Sequence, residues 1–188
     1  MSGGTPARGL WRRYDAYEPA PDSWAGVGCS VAEDSLKMID VGGKPTSTRT
    51  ARATALLRGS PSTIEAILSG RLPKGDAVAT ARVAGVMSAK RTSELLPLCH
   101  PLPLDAVEVV IRSDSPSTIV VEAVVRATAR TGVEMESLVA AATAALTLYD
   151  MAKSLEPGMT VERVQLEEKT GGVRGDYSRR PPPVSAGG

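Results

Sequence analysis

Four stretches of the chain alternate apolar and polar residues, and each predicts a β-strand with one buried face. They are Thr46–Leu57, Ala106–Arg112, Thr118–Arg130 and Thr160–Glu168. A Ser-Asp-Ser-Pro-Ser turn separates the second from the third, which predicts an antiparallel hairpin. Arg49 and Arg52 have opposite parity in the first strand, so their side chains are expected on opposite faces.

Two segments carry the start signals of helices. Ser60 is placed to cap a short helix that runs from Pro61 to about Leu68. Asp76 is placed to cap a second helix that continues to about Leu95. The hydrophobic side of this second helix is predicted from Val78, Val83, Val86 and Met87.

A longer helix is predicted for Thr131–Leu155, because its middle is almost entirely Ala, Leu and Val, and Ala favours a helix over a strand. Charged residues stand at both ends, namely Glu134, Glu136, Asp150 and Lys153. Glu136 and Asp150 would be about 40° apart around the axis but about 21 Å apart along it. These charges fit either solvated helix ends or functional groups.

The order of elements is strand, helix, helix, strand, strand, helix, strand. It predicts an α+β sandwich in a βαββαβ plan, with a four-stranded antiparallel sheet and helices on one face. The other face would be left for a second subunit to cover. Residues 37–178 form the predicted folded domain. Residues 1–36 are predicted to be a disordered extension, whose Trp11 and Trp24 could dock on the body or a partner, and residues 179–188 a disordered Pro/Gly tail.

Composition narrows the function classes. The balance of 22 basic and 21 acidic residues argues against a broad nucleic-acid or membrane-surface footprint. Cys29 and Cys99 are far apart and form no disulfide framework, and a lone histidine, His100, argues against a Cys/His zinc site. No apolar run has the length of a membrane span and the N-terminus has no signal-peptide core, so a cytoplasmic protein is expected.

Several residues are candidates for chemistry. His100 lies beside Cys99 in a proline-rich segment that could aim an imidazole, although a lone histidine also fits a structural role. Lys74, next to Gly75 at a helix start, resembles a phosphate-binding turn, although many surface turns share this pattern. Further cations could add to such a site or be solvated charges, namely Arg49, Arg52, Lys153, Lys169 and Arg174.

Five motifs follow one another along the domain: Lys74-Gly-Asp, Leu98-Cys-His-Pro, Gly132-Val-Glu-Met-Glu, Leu148-Tyr-Asp-Met-Ala-Lys and Lys169-Thr-Gly-Gly. With the longer runs AKRTSELLPLCHPLPL and TGVEMESLVAAATAALTLYDMAK, they resemble the MoaC family, the cyclic pyranopterin monophosphate synthases of molybdenum-cofactor biosynthesis. The resemblance covers about Met38 to Tyr177, which is essentially the whole predicted domain.

The resemblance implies a ferredoxin-like fold and a homohexamer built as a trimer of dimers, with the site at the dimer interface. It implies a lyase that converts 3′,8-cyclo-7,8-dihydro-GTP to cyclic pyranopterin monophosphate and pyrophosphate. No cofactor or protein-bound metal is expected, although Mg²⁺ could accompany the triphosphate. Nucleic acid and membranes are not expected as partners.

The resemblance also assigns roles by position. Catalytic positions match Lys74, Asp150 and Lys153. Substrate-binding positions match Arg49, Leu98, Cys99, His100, Glu134, Met135, Glu136 and Lys169. Because Glu136 and Asp150 are too far apart for one nucleotide-sized site, opposite ends of the long helix are expected to serve two different sites shared between subunits.

Acid–base catalysis is expected from Lys74 and Lys153, with pKa values tuned toward neutrality, while Asp150 orients Lys153 or takes a proton. His100 and the two glutamates would hold the guanine-derived ring. The alternative is a non-catalytic ferredoxin-like module that binds RNA, a nucleotide or a GTP-cyclising partner. RNA-binding modules stack bases on strand aromatics, yet the chain has no Phe and no Tyr or Trp in its predicted strands.

Overall fold

The computed structural model describes residues 36–179 of the 188-residue chain. In chain order its elements are β1 (Ser47–Arg58), α1 (Pro61–Leu68), α2 (Ala77–Lys90), α3 (Thr92–Leu95), β2 (Ala106–Ser115), β3 (Thr118–Ala129), α4 (Glu134–Ala152), β4 (Thr160–Thr170) and β5 (Tyr177–Ser178). Residues 1–35 and 180–188 lie outside the described part, so the predicted extension and tail stay predictions.

One antiparallel sheet with the strand order β2-β3-β1-β4-β5 forms the base of the fold. The predicted α+β class, the β2–β3 hairpin and the four strands that the alternation indicated are confirmed. The predicted strand number is wrong, because the described residues contain a fifth strand in which Tyr177 pairs with Lys169 and Ser178 with Glu168. A two-residue strand is too short to show a period in the sequence. It also places one aromatic residue, Tyr177, in a strand.

The helices cover the sheet face that carries the odd-numbered residues of β1. Ala51, Ala53, Ala55 and Leu57 are all buried there, beneath α4. α2 packs beside α4 through small residues, and a Cβ on Gly85 would lie only 3.1 Å from the Ala140 carbonyl oxygen. Close helix packing through Ala and Gly therefore lets this chain build a core without Phe.

The two predicted N-caps are confirmed: Ser60 caps α1 and Asp76 caps α2. The Thr63 amide donates to Ser60 Oγ at 3.4 Å, and the Ala79 amide donates to Asp76 Oδ1 at 2.9 Å. Glu156, just beyond α4, accepts from the Ser60 hydroxyl at 2.8 Å. This contact ties the start of α1 to the end of α4.

The predicted second helix is wrong in two respects. α2 ends at Lys90, and Arg91 separates it from the single-turn α3, so no continuous helix reaches Leu95. Of its predicted hydrophobic side, Val78 and Val86 pack against the core, but Val83 and Met87 are exposed. The residues that α2 buries are mainly small, because its distance from α4 leaves no room for larger side chains.

The helix-free face of the sheet is strongly polar along β1. Arg52 bridges the neighbouring strands through Glu122 at 3.1 Å and Glu168 at 2.8 Å. Arg49 and Arg52 therefore lie on opposite faces, as predicted. Within residues 36–179, no helix combines the length and apolar character that crossing a membrane requires.

Candidate active site

A cavity of about 440 Å³ opens at the end of the sheet where α4 begins. Its walls come from the end of β4, the start of β1, the first turn of α4 and the proline-rich segment between α3 and β2. All eight residues predicted to bind substrate line it: Arg49, Leu98, Cys99, His100, Glu134, Met135, Glu136 and Lys169. The fold thus gathers residues that are up to 120 positions apart in sequence.

Arg49 is a buried cation in the cavity wall, with only 8% of its surface exposed. Its Nε lies 3.4 Å from the Ala129 carbonyl oxygen and its Nη2 lies 3.4 Å from the Arg130 carbonyl oxygen. Among the described residues Nη1 has no acceptor. Backbone carbonyl groups therefore hold the guanidinium in the cavity wall, and its Nη1 keeps an unused donor capacity.

Lys169 and Glu134 link the end of β4 to the first turn of α4. Lys169 Nζ lies 3.3 Å from Glu134 Oε1, and both side chains are partly exposed to the cavity. Gly132 provides the space for this carboxylate, because a Cβ at that position would overlap Glu134 Oε2. A ligand that binds the Lys169 ammonium group must therefore either share this group with the Glu134 carboxylate or displace the carboxylate.

Glu136 is a buried carboxyl at the inner wall of the cavity, with 4% of its surface exposed. Burial raises its pKa, and the nearby charge of Glu134 raises it further. Burial also raises the pKa of the Cys99 thiol, with a smaller contribution from Glu136. The end of the cavity formed by these two residues therefore favours neutral groups and hydrogen-bonded rings over anions.

Three further cations line the cavity, namely Lys44, Arg130 and Arg174. Lys44 and Arg130 were not candidates from the sequence, whereas Arg174 was named there only as a possible additional cation at a phosphate site. Arg130 lies two residues before Gly132 of the Gly132-Val-Glu-Met-Glu motif, so its position near the start of α4 could have suggested a role. Lys44 follows two glycines before β1, and Arg174 follows two glycines after β4. Neither loop has a period that places its side chains, and only the fold brings them to the same cavity.

The three predicted catalytic residues form a separate cluster at the opposite end of α4, hereafter the Lys–Asp–Lys cluster. Lys74 Nζ lies 2.8 Å from Asp150 Oδ2 and 2.9 Å from the Asp150 carbonyl oxygen. Lys153 Nζ lies 2.8 Å from Asp150 Oδ1. All three side chains are about half exposed, so the cluster is an open surface site.

The charges of the Lys–Asp–Lys cluster stabilise one another. Hydrogen bonds from Lys153 and then Lys74 lower the pKa of Asp150 to about 2. The hydrogen bond to Asp150 raises the pKa of Lys153. The expected tuning toward neutrality is therefore wrong in direction for Lys153, and Asp150 is ionised at neutral pH. The Gly75 amide is not free for a phosphate either, since it donates to the Leu72 carbonyl oxygen at 2.8 Å.

The two groups of predicted residues do not meet within one chain. Fourteen residues of α4 separate Glu136 from Asp150, which corresponds to about 21 Å along the axis. A second cavity, of about 480 Å³ between α1 and the β2–β3 turn, lies apart from both groups. Glu65 is the charged residue that the described structure places in its lining, which suits an anionic ligand poorly.

A family model described as the MoaC family matches residues 38–172, a range that includes all eleven predicted site residues. The chain belongs to the MoaC family. The resemblance inferred from the five motifs is thus confirmed. Both the cavity-lining residues predicted from the sequence and the Lys–Asp–Lys cluster belong to the part of the chain that the MoaC model matches.

Three relatives show what the chain is similar to. A Herpetosiphon aurantiacus protein called cyclic pyranopterin monophosphate synthase is 51% identical over 141 residues, 74% of this chain and 86% of the relative. A protein of the same name from a Nostoc species is 49% identical over 160 residues, 85% of this chain and 95% of the relative. Cyclic pyranopterin monophosphate synthase 3 of Mycobacterium tuberculosis is 46% identical over 147 residues, 78% of this chain and 83% of the relative.

Proposed function

We propose that this MoaC-family chain is a cyclic pyranopterin monophosphate synthase. Its substrate is 3′,8-cyclo-7,8-dihydro-GTP, and its products are cyclic pyranopterin monophosphate and pyrophosphate, which makes it a phosphorus–oxygen lyase. One observation carries the proposal: the eight residues matched to substrate-binding positions line a single cavity. The names of relatives at 46–51% identity support it.

The cavity suits a nucleotide-derived ligand in size and charge. Its volume of about 440 Å³ is in the range of small-molecule sites. Five basic residues line it: Lys44, Arg49, Arg130, Lys169 and Arg174. They would hold the triphosphate, and Mg²⁺ could accompany it there. His100, Glu134 and Glu136 would bind the ring through its N–H groups, and Glu136 lies in the buried part where such bonds are least weakened by water.

The Lys–Asp–Lys cluster would complete the site from a second copy of the chain. This follows from the separation along α4, because the cluster is too far from the cavity of its own chain to touch the same small molecule. A homohexamer arranged as a trimer of dimers would supply the required pairing. Such a shared interface gives each dimer two equivalent sites.

The chemistry requires proton transfers as the rings open and close, and charge neutralisation as pyrophosphate departs. Lys153 is protonated at neutral pH, so it would act as an acid or as a cation that stabilises the leaving phosphates. Asp150 is ionised and bonded to both lysines, so it would orient them. Lys74 would transfer a proton at the reacting ring once substrate binding has changed its surroundings.

A ferredoxin-like fold is part of the same proposal. The antiparallel order β2-β3-β1-β4, with α2 and α4 on one face, supports it. β5 is then an addition to the β4 edge. The extra strand continues from the Gly-rich loop that carries Arg174 past the cavity.

The decisive experiment is to mix the purified protein with 3′,8-cyclo-7,8-dihydro-GTP and to follow pyrophosphate release and the fluorescent oxidised pterin. Both products are expected, and both should vanish in Lys74→Ala. Binding without release would favour the second candidate, a non-catalytic nucleotide-binding or accessory subunit. Failure to bind would refute both.

A further inference from the structure

Two adjacent glycines after β4 have different neighbours. Gly171 and Gly172 both adopt positive φ, of 86° and 94°. A Cβ on Gly171 would overlap the carbonyl oxygen of Thr48, which is backbone of the neighbouring strand. A Cβ on Gly172 would instead overlap Nη1 of Arg49, the tip of a flexible side chain. A side chain at position 171 would thus clash with the backbone of the sheet, whereas a side chain at position 172 would clash with the side chain of Arg49.

The backbone holds the Arg49 guanidinium at two points. Its Nε and Nη2 already contact the carbonyl oxygens of Ala129 and Arg130. Nη1, which has no acceptor within residues 36–179, lies against the Gly172 backbone. A side chain at position 172 would therefore have to displace the guanidinium from its two backbone acceptors, or the loop from β4.

We infer that Gly172 is a positioning residue for anion binding. By lacking a side chain, it keeps the Arg49 guanidinium on its backbone acceptors in the cavity wall, with Nη1, which has no acceptor among residues 36–179, as the group that binds a phosphoryl oxygen. The inference deepens the proposed function, since it identifies Gly172 as the residue that orients one phosphate-binding cation, Arg49. It rests on the proposed function only for the identity of the phosphate ester, not for the presence of a phosphate-binding Arg49.

The test is a double-mutant cycle with inorganic pyrophosphate as the probe and calorimetry as the readout. Gly172→Ala and Arg49→Ala are each expected to weaken binding by about tenfold or more, as for loss of one charge-assisted hydrogen bond. The double variant should bind no worse than either single variant, since both remove the same contact. A merely structural role for Gly172 would make the two losses multiply.

Gly175→Ala is the matched control. Gly175 also has positive φ, of 72°, but a Cβ there would meet nothing within 4 Å. It therefore also carries the cost of a positive φ, but without a clash with Arg49, and this variant should bind pyrophosphate as the wild type does. If Gly172→Ala lowers the Tm, adding Arg49→Ala should recover part of the loss, because the overlapping atom is gone.

Three results would overturn the inference: wild-type affinity in Gly172→Ala, equal losses in Gly172→Ala and Gly175→Ala, or no pyrophosphate binding by the wild type. A turnover assay on the wild type separates this question from the proposed function. Coupled pyrophosphate binding in a protein that does not convert 3′,8-cyclo-7,8-dihydro-GTP would leave the Gly172 inference standing and refute the synthase.

Discussion

Lys74 reaches from the turn before α2 to the end of α4 and bonds Asp150 twice, at 2.8 Å through Oδ2 and at 2.9 Å through the carbonyl oxygen. These two residues are 76 positions apart. The contact fixes a lysine beside Lys153 on an open surface. Two cations held by one carboxylate form an arrangement suited to an anionic group brought by another molecule.

Replacing Lys74 or Lys153 with Ala should abolish pyrophosphate release and leave the fold intact. Both side chains are about half exposed, and exposed ion pairs contribute little to stability. Turnover of 3′,8-cyclo-7,8-dihydro-GTP and thermal unfolding measure the two effects. Lys90→Ala, an exposed lysine at the end of α2, is the matched control and should retain full activity. A near-normal rate in Lys74→Ala would refute the catalytic assignment.

Mixing two inactive variants should restore activity if the site is shared between subunits. Lys74→Ala removes a residue of the Lys–Asp–Lys cluster at one end of α4. His100→Ala removes a residue of the cavity at the other end. After the variants are mixed and reassembled, a mixed dimer has one site with both changes and one with neither, so about a quarter of the wild-type rate is expected. Each variant alone should stay inactive. A mixture that remains as inactive as its components would show that each site lies within one chain.

Glu136→Gln should raise the Tm at neutral pH. The pKa of the buried Glu136 is above its ordinary value of 4.5, so the unfolded chain releases this proton at lower pH than the folded chain. Ionisation therefore destabilises the fold as pH rises above 4.5. The amide does not ionise and avoids this cost, so the two Tm values should differ at pH 7 and converge at or below pH 4.5.

Thermal unfolding of wild type and Glu136→Gln over a series of pH values tests this prediction. Glu65→Gln, at an exposed carboxylate of α1, is the control and should show no such divergence. A Tm difference that is constant with pH would mean that packing, rather than ionisation, distinguishes the two chains. The variant should also bind the pterin-forming substrate less well, because the carboxyl proposed to bind the ring is lost.

Gly171→Ala should destabilise the protein by about 2 kcal/mol or more, as expected for strain at a positive φ combined with a backbone clash. The overlap is with the Thr48 carbonyl oxygen at the start of β1. Urea unfolding gives the free-energy change, and Gly175→Ala controls for the positive φ alone. Equal stability of Gly171→Ala and Gly175→Ala would contradict a steric role for the β1 backbone.

Local patterns predicted much of the fold. Ser60 and Asp76 could be identified as caps because a cap depends on the residue itself and the next turn. The Ala-rich run of α4 and the alternation of β3 are also local properties. The burial of small rather than large residues on α2 was missed because it depends on α4, which is distant in sequence. The strand at Tyr177 was missed because two residues are too short to show a period, and the split at Arg91 was also missed.

The charges of the site also divide into those that the sequence predicted and those that only the structure shows. The sequence identified Lys74, Asp150 and Lys153 through a resemblance, but it did not indicate that the pKa of Lys153 is raised. That direction follows from the 2.8 Å distance to Asp150, since a nearby carboxylate favours the protonated lysine. Lys44 and Arg130 were not predicted to line the cavity, and Arg174 was predicted only as a possible additional cation, because loop residues have no period that predicts where their side chains lie.

The sequence by itself determined the α+β class, the starts of α1 and α2, the opposite faces of Arg49 and Arg52, and membership of the MoaC family. The tertiary structure decided which residues share a site. β4 has an extra residue between Leu166 and Glu168, so Lys169 pairs with Ala51 and comes to the face of Arg49. Such a bulge arises from pairing between strands, and pairing is a property of the folded chain that no single segment contains.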